Sequence, residues 1–346
     1  MSNSDPTQLK LVKKVDRPGV CFGMARVPGG ERLFYGASDA RVYDIDLAAE
    51  KPDAHELAGH AGYVLGVAQA GAFVISGAYD GRLIWWNVAT REVVRTVDAH
   101  AKWIRGVVAA PGGKLVASVA DDMLCKLWDV ETGQLVRTLA GHDRLTPQHY
   151  PSMLFACAFS ADGQLIATAD KVGRVIIWEV DSGNRLAAVE APLLYTWDAK
   201  QRRHSIGGAR SVAFSPDAKL VAVGGTGQIN NVDHLEALAR LELFDWRGGQ
   251  RTHEFPGEKF KGLVECMAWH PAGDWLVTAG GDHEGFIKFF DITGNKLLHQ
   301  EKAPMHVHSL ALNEAADTLY LAGHGKIAVY EFKPAPPPAQ EAKPPA

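Results

Sequence analysis

Ser118, His100 and Asp122 are residue types that could perform nucleophilic catalysis. In a catalytic triad the His takes the proton of the Ser hydroxyl, while the acid orients the imidazole. The same three types recur with similar spacing about 40 residues earlier in the chain. Because a repeated structure explains two such sets and a single active site does not, we interpret these residues as structural and predict no catalytic residue.

A second kind of chemistry to consider is metal binding by neutral imidazoles. Five histidines lie in segments that read as loops, but no tight spacing links them, so we predict no metal site and no cofactor. The glycine-rich "GGTGQ" at 224–228 lacks the Lys-Ser/Thr of a phosphate-binding loop and is interpreted as a turn. The five histidines are His149, His204, His234, His283 and His324.

An internal repeat accounts for the recurring residues. The segment "GHAGYVLGVAQAGAFVISGAYDGRLIWWNV" from Gly59 matches "AHAKWIRGVVAAPGGKLVASVADDMLCKLWDV" from Ala99 in its apolar, turn and terminal Trp positions, and seven such copies follow one another. Apolar runs of about four to seven residues, separated by Pro-Gly or Asp-Gly turn signals, predict hairpin-connected strands. One exception is "VDHLEALAR", Val232–Arg240, which could form two helical turns.

The Gly-His start, the turn of the "FSADG" type and the Trp-Asp end resemble the WD-repeat (WD40) β-propeller family over roughly residues 8–333. The resemblance implies an all-β fold: a seven-bladed propeller of four-stranded antiparallel blades around a central channel. We expect "QLKLVKKVD", Gln8–Asp16, to supply the outer strand that the last copy lacks and so to close the ring. The Pro/Ala/Lys-rich segment 334–346 is expected to be a disordered tail.

The resemblance also implies a role for the recurring polar residues. In this family a His before the first strand, a Ser or Thr in the second, an Asp in the next turn and a Trp in the third form a hydrogen-bonded relay, which supplies partners to a buried indole and imidazole. Val172 stands at the Asp position of the fourth copy, so that relay is expected to be incomplete. The relay residues are His60, Ser76, Asp80, Trp86, His100, Ser118, Asp122, Trp128, His142, Thr168 and Trp178.

Three insertions distinguish the fourth and fifth copies: "RLTPQHYP", "LLYTWDAKQRRHSIGG" and an enlarged turn, "GGTGQINNVDHLEALARLELF". By resemblance they open on the narrow (top) face, where irregular loops on a rigid scaffold build a binding surface. Aromatic and Arg residues on this face are the predicted partner contacts. An open alternative is that Tyr195 and Trp197 pack their own loop. The predicted contacts are Tyr63, Tyr79, Trp103, Arg105, Asp121, Tyr150, Tyr195, Trp197, Arg202 and Arg203.

Composition narrows the classes of partner. A net charge of -4, with 36 basic and 40 acidic residues, does not favour nucleic acid. No apolar run could span a bilayer, the N-terminus lacks a signal-peptide core, and the four dispersed cysteines suit a reducing compartment. We expect a cytoplasmic protein and favour a monomer, although the sequence leaves the oligomeric state open.

We therefore expect a non-catalytic scaffold that binds a protein or peptide through the narrow face of the propeller, with specificity from the inserted loops of blades four and five. The alternative is a propeller that binds a small molecule or performs metal-dependent, lactonase-like hydrolysis. That alternative needs a site at the mouth of the central channel, built from His and acidic residues of several blades. A divalent ion held there by three or more protein ligands would favour it.

Overall fold

The computed structural model describes residues 4–199, 204–230 and 236–334. Within this part of the chain, 28 strands account for the regular structure, apart from a single 3-10 turn. All pairings between neighbouring strands are antiparallel, as short loops between consecutive strands require. The described residues contain no helix that is long and apolar enough to cross a membrane.

The second, third and fourth copies each form one four-stranded antiparallel sheet. Consecutive strands pair with each other, so each sheet is a simple meander from the inner to the outer edge. Their strands are β5 Val64–Ala70, β6 Phe73–Ala78, β7 Arg82–Asn87, β8 Val93–Asp98, β9 Ile104–Ala109, β10 Leu115–Ala120, β11 Leu124–Asp129, β12 Leu135–Ala140, β13 Leu154–Phe159, β14 Leu165–Asp170, β15 Arg174–Glu179 and β16 Arg185–Glu190.

The fifth and sixth copies add two more four-stranded sheets, and the longest insertion forms a two-stranded hairpin of its own. The hairpin follows the 3-10 turn η1 and precedes the first strand of the fifth copy. These elements are η1 Pro192–Leu194, β17 Tyr195–Asp198, β18 His204–Gly207, β19 Ser211–Phe214, β20 Leu220–Thr226, β21 Ala239–Asp245, β22 Gln250–Phe255, β23 Leu263–Trp269, β24 Leu276–Gly281, β25 Gly285–Asp291 and β26 Lys296–Ala303.

The prediction of seven separate four-stranded blades is wrong. The described residues form six blade sheets: five have four strands, and the sixth is a six-stranded sheet that joins the first and last copies. Its central strand, β1, pairs along its first part with the last copy and along its second part with the first copy. The strands of this closing sheet are β1 Ser4–Arg26, β2 Arg32–Ala37, β3 Arg41–Asp46, β4 Ala54–Ala58, β27 Val307–Leu312 and β28 Thr318–Pro334.

The two copies merge because no turn interrupts β1. The strand passes from one ladder to the other with a register shift on each side of the transition, between Asp16 and Val20 and between Cys21 and Met24. The predicted contribution of the N-terminal segment to ring closure is present, since Leu9 pairs with Phe332 and Asp16 pairs with Lys326. Strand β28 ends at Pro334, and the remainder of the predicted tail, 335–346, lies outside the described residues.

The innermost strands close a ring around the channel. Contacts between them run in order from β1 through β5, β9, β13, β19, β23 and β27 and return to β1. The closing sheet contributes two of these strands, β1 and β27. Burial decreases outward: second strands such as Leu165–Asp170 are buried on both faces between neighbouring sheets, whereas outermost strands such as Leu135–Ala140 are largely exposed.

Tight turns let neighbouring sheets approach closely. Gly81, in the Asp-Gly turn of the second copy, has φ +78°, and a Cβ there would lie 2.4 Å from the carbonyl oxygen of His100. The Gly81 carbonyl in turn accepts the backbone N–H of His100. The helix predicted for Val232–Arg240 is wrong where the structure describes it, because Arg240 pairs with Gly225 in the β20–β21 ladder; residues 231–235 lie outside the described part.

Candidate functional site

The repeated polar residues form hydrogen-bonded relays inside the sheets. In the third copy the Trp128 indole N–H donates to Ser118 Oγ over 2.9 Å, and His100 Nε2 lies 2.8 Å from the same oxygen. His100 Nδ1 lies 3.0 Å from Asp122 Oδ2. The same contacts join the corresponding residues of the second copy, so each buried donor has a partner. Those residues are Trp86, Ser76, His60 and Asp80.

This arrangement has the contacts of a Ser-His-Asp triad, but its environment differs from that of an active site. Ser118 is fully buried, and its oxygen already accepts the Trp128 indole N–H. A substrate carbonyl needs open space beside the nucleophile and a group that stabilises the developing oxyanion. The surroundings of Ser118 therefore fit a structural role.

The fourth copy contains a complete relay as well, which corrects the expectation based on Val172. Thr168 Oγ1 accepts the Trp178 indole N–H and lies 2.8 Å from His142 Nε2. The carboxylate comes from Asp170, whose Oδ2 lies 2.8 Å from His142 Nδ1. Asp170 occupies the end of its strand, two residues before the expected position, and reaches the same imidazole from there.

A ring of side chains lines the mouth of the central channel. At the start of five innermost strands the register shifts by a residue, as in a β-bulge, which leaves one residue unpaired and redirects its side chain. In β1 a corresponding shift between Cys21 and Met24 leaves Phe22 unpaired. These residues and Arg210, just before β19, line a cavity of about 400 Å³. The ring consists of Phe22, Leu65, Arg105, Phe155, Arg210, Glu265 and His308.

Arg105 is the most highly connected member of this ring. Its guanidinium donates to both carboxylate oxygens of Asp121, over 2.8 and 2.7 Å, and to the Tyr79 hydroxyl over 2.7 Å. Burial lowers the pKa of Arg105, but Asp121 outweighs this and keeps it above its ordinary value. Asp121, predicted as a partner contact, thus binds the Arg105 guanidinium through both carboxylate oxygens and holds it in place.

An aromatic row extends from the channel mouth across the loop-bearing side. Tyr79 stacks on Trp103 with ring centroids 4.2 Å apart and an interplanar angle of 7°. Tyr63 lies 5.5 Å from Tyr79 on one side and 5.8 Å from Phe22 on the other. Two rings of the row are open to solvent, since Tyr63 is 47% and Trp103 is 48% exposed. Four of the predicted contact residues, Tyr63, Tyr79, Trp103 and Arg105, therefore form one connected surface.

The inserted loops of the fourth and fifth copies contact each other. Tyr150 packs on Trp197 with ring centroids 5.0 Å apart, and the Tyr195 hydroxyl donates to Gln148 Oε1 over 2.8 Å. Tyr195 and Trp197 belong to strand β17 of the small hairpin. Tyr195 and Trp197 thus pack the inserted loops together, as the alternative interpretation expected, while Tyr150 is exposed. A role of these three residues in partner contact stays a prediction. The predicted contacts Arg202 and Arg203 lie outside the described residues.

The structure describes the side chains of three of the histidines considered for metal binding: His149, His283 and His324. His283 is highly exposed and contacts Asp282, and His149 lies in a turn of the first insertion. His204 starts strand β18, and His234 lies outside the described residues. Among the three described side chains, His324 joins a cluster with two other histidines, which the sequence analysis did not consider.

Those partners are His306 and His308. One ligand-capable atom from each of the three imidazoles lies within 4.8 Å of the others. The sequence signal was the "His-Val-His" pair, because alternate residues of a strand project to the same side. His324 carries no such signal, since its approach depends on how the last copy folds back on itself.

Beside this cluster lie two oppositely charged ring members. Burial raises the pKa of Glu265, but the neighbouring His306 imidazole and the Arg210 guanidinium outweigh it and lower that pKa to about 2. Burial lowers the pKa of Arg210, whose guanidinium carbon lies 3.8 Å from the centroid of the Phe155 ring. The channel mouth thus holds a carboxylate between a cation and a group of imidazoles.

The sequence of the chain also matches a known protein family. The family model "WD domain, G-beta repeat" matches residues 52–87, 91–129, 133–179 and 249–291. These stretches cover most of the second, third and fourth copies and much of the sixth. The match also includes the outermost strands of the first and fifth copies, β4 Ala54–Ala58 and β22 Gln250–Phe255, while the other strands of those copies and the whole last copy lie outside it.

Three curated relatives show the extent of similarity. The chain is 26% identical to telomerase protein component 1 of Mus musculus over 74% of this chain and 8% of that protein. It is 26% identical to guanine nucleotide-binding protein subunit beta of Oryza sativa subsp. indica over 72% of this chain and 60% of that protein. It is 31% identical to apoptotic protease-activating factor 1 of Rattus norvegicus over 44% of this chain and 11% of that protein. The chain thus spans 60% or less of the length of each.

Proposed function

Because the chain is a WD40-repeat protein with a β-propeller fold, we propose that it is a non-catalytic scaffold that binds a protein or peptide through the narrow face of the propeller. The inserted loops of the fourth and fifth copies add specificity. The observation that carries this proposal is the exposed aromatic row joined to Arg105 at the channel mouth.

The aromatic row has the composition of an interface hot spot. Trp, Tyr and Arg are the residues most enriched among those that dominate binding energy, and they cluster near the centre of an interface. Here Trp103 and Tyr63 expose nearly half of their surface although each contacts Tyr79. Stacking holds the rings in place, so a partner gains large apolar contacts at little cost in side-chain entropy.

Arg105 supplies the polar component of the surface. Its guanidinium carbon lies 5.1 Å from the ring centroid of Tyr79 and 5.3 Å from that of Trp103, while Asp121 fixes its orientation. A guanidinium held in this way loses little freedom when a partner binds. The surface therefore suits a segment that offers an apolar side chain to the rings and a carbonyl or carboxylate oxygen to the channel mouth.

The loops of the fourth and fifth copies extend the same surface. The contacts between Tyr150 and Trp197 and between Tyr195 and Gln148 join two insertions into one projection. Loops on a rigid scaffold can differ between related proteins without disturbing the fold, so they are suited to partner selection. One relative is by name a subunit, and hence part of an assembly, which supports a binding role.

The experiment is affinity capture from the native cell with tag-purified wild type and a Trp103→Ala, Arg105→Ala, Trp197→Ala variant. Captured proteins are quantified by mass spectrometry, and folding of each bait is checked by circular dichroism and thermal unfolding. We expect the variant to lose the specific partner, since truncation of hot-spot residues costs more than about 1 kcal/mol each.

The matched control is Val93→Ala, Leu135→Ala, Leu186→Ala, which removes equally exposed apolar side chains from outermost strands. We expect this control to keep the partner. If the folded triple variant of the narrow face retains every partner, or if the outer-strand control loses the same ones, the proposed face is wrong.

A further inference from the structure

We propose that His306, His308 and His324 form a binding site for a divalent transition-metal ion of the Zn²⁺ class, with Glu265 as the fourth protein group. The inference goes beyond the proposed scaffold function, because the site needs no partner protein and would bind its ion in the isolated chain. It lies at the edge of the channel mouth, where the His308 ring is 5.2 Å from the Phe22 ring.

The three imidazoles are already close enough to share one ion. Their ring centroids are 4.5 Å apart for His306 and His308 and 4.9 Å apart for each pair with His324. Ligand atoms at roughly 2.0–2.1 Å from a tetrahedral ion lie roughly 3.3 Å from each other. The candidate ligand atoms lie within 4.8 Å of one another, so small side-chain rotations bring them to that separation.

The backbone brings these residues together in a specific way. The His324 backbone N–H donates to the His306 carbonyl over 3.0 Å, so the two residues lie side by side although they are distant in sequence. A Cβ at position 323 would lie 2.0 Å from that same carbonyl oxygen, so the approach requires Gly323. His308 sits at the register shift of β27, which turns its side chain into the channel mouth.

Two nitrogens of the cluster are buried without a hydrogen-bond partner. His306 is only 9% exposed, and both His306 Nε2 and His308 Nε2 are buried and accept or donate no hydrogen bond within the described part of the chain. A buried polar atom of this kind is uncommon and costs free energy unless something satisfies it. A metal ion between the rings would satisfy both nitrogens at once.

Glu265 supplies negative charge beside the imidazoles. Its Oε1 lies 3.8 Å from His306 Nε2, a separation that two ligands of one ion can reach after a small adjustment. A carboxylate in this position either completes the coordination or orients a ligand, and both arrangements increase metal affinity. Imidazole-rich sites select Zn²⁺, Cu²⁺ or Ni²⁺, whereas Mg²⁺ and Ca²⁺ need mostly oxygen ligands.

An ion also needs a route to the site. His324 is exposed, whereas His306 is 9% exposed and His308 is half-buried, so the cluster opens to solvent on the side of His324. His324 is therefore the ligand whose replacement should disturb the fold least. It is the appropriate position for the test.

The test is titration of the tag-free, chelator-treated protein with Zn²⁺, followed by calorimetry, and with Co²⁺, followed by visible absorption. We expect one Zn²⁺ per chain and the intense bands of four-coordinate Co²⁺. Loss of a group that only hydrogen-bonds to a metal ligand weakens metal binding roughly 10- to 100-fold. We therefore expect loss of a ligand in His324→Ala to weaken Zn²⁺ binding by at least about 100-fold. We expect Glu265→Gln to weaken it by at least about 10-fold.

The matched control is His283→Ala, which removes a highly exposed histidine outside the cluster and should leave the affinity unchanged. Circular dichroism verifies that each variant is folded. The proposal is overturned if the wild type binds no stoichiometric Zn²⁺, if Co²⁺ gives only the weak bands of six-coordinate ion, or if folded His324→Ala binds Zn²⁺ as tightly as the wild type.

Discussion

Arg105 and Asp121 form a two-bond ion pair at the mouth of the channel, with Nε to Oδ1 at 2.8 Å and Nη2 to Oδ2 at 2.7 Å. Both side chains are largely buried, so solvent screens the pair little. The pair connects the two parts of the candidate site, because Arg105 also contacts the rings of the aromatic row. Its geometry decides how Arg105 is presented.

We predict that Arg105 and Asp121 are energetically coupled in the folded protein. A double-mutant cycle with Arg105→Ala and Asp121→Ala, measured by urea unfolding, should give a coupling energy of about 1.5–3 kcal/mol, as for hydrogen bonds to charged groups. The well-exposed pair Lys302 and Glu284, at 2.6 Å, is the control and should give about 0.2–1 kcal/mol. Equal coupling in the two pairs would contradict the prediction.

The relay predicts a cost for removing a single oxygen. Ser118→Ala leaves the Trp128 indole and the His100 imidazole buried without their shared partner. We expect the free energy of unfolding to fall by about 1–3 kcal/mol for these unsatisfied groups. Ser182→Ala, in an exposed turn, is the control and should change it by about 0.5 kcal/mol or less. Chemical denaturation would detect the difference, and equal midpoints would count against the relay.

The fourth relay makes a prediction that separates Asp170 from Val172. Asp170 accepts from His142 and from the backbone N–H groups of Val172 and Arg174. Asp170→Ala should therefore lower the free energy of unfolding by about 2 kcal/mol or more. Val172→Ala removes only part of a half-buried side chain and should cost less than about 1 kcal/mol. If Val172→Ala lowered the free energy of unfolding more than Asp170→Ala, Asp170 would not be the carboxylate of the fourth relay.

The pH dependence of stability follows from Asp122. Burial raises its pKa, but the His100 imidazole and the backbone N–H groups of Leu124 and Ala101 outweigh this, so the folded pKa lies below the usual 3.8. A depressed folded pKa contributes stability that is present above the unfolded pKa and is lost as the pH falls. We expect Asp122→Asn to lose less stability than the wild type between about pH 5 and about pH 2. Parallel curves from thermal unfolding would exclude this contribution.

Much of the local structure could be predicted from the repeated sequence. The apolar runs and turn signals indicated short strands, and the recurring His, Ser and Trp residues pointed to the relay. The exception in the fourth copy shows the limit of spacing arguments. An imidazole needs a carboxylate within hydrogen-bond distance, and Asp170 meets that need from a strand end that the spacing did not indicate.

The candidate site was predictable in part for the same reason. Tyr63 and Trp103 precede the first strands of successive copies, and the resemblance to the WD-repeat family predicted that these residues share one face with Tyr79 and Arg105. It did not show that Asp121 is bound to Arg105, because that contact depends on side-chain conformation. Nor did it show that Tyr150 and Trp197, in different insertions, pack against each other.

By itself, the sequence determined most of the short strands, the turns and the His, Ser or Thr, and Trp members of the relays, because these depend on residues that are close in the chain or repeat with it. The tertiary structure alone decided two features. Strand β1 joins the first and last copies into one six-stranded sheet, and Glu265 and His324 meet the His306 and His308 pair. Both features require segments that are distant in sequence to meet when the ring closes, and local preferences carry no information about that closure.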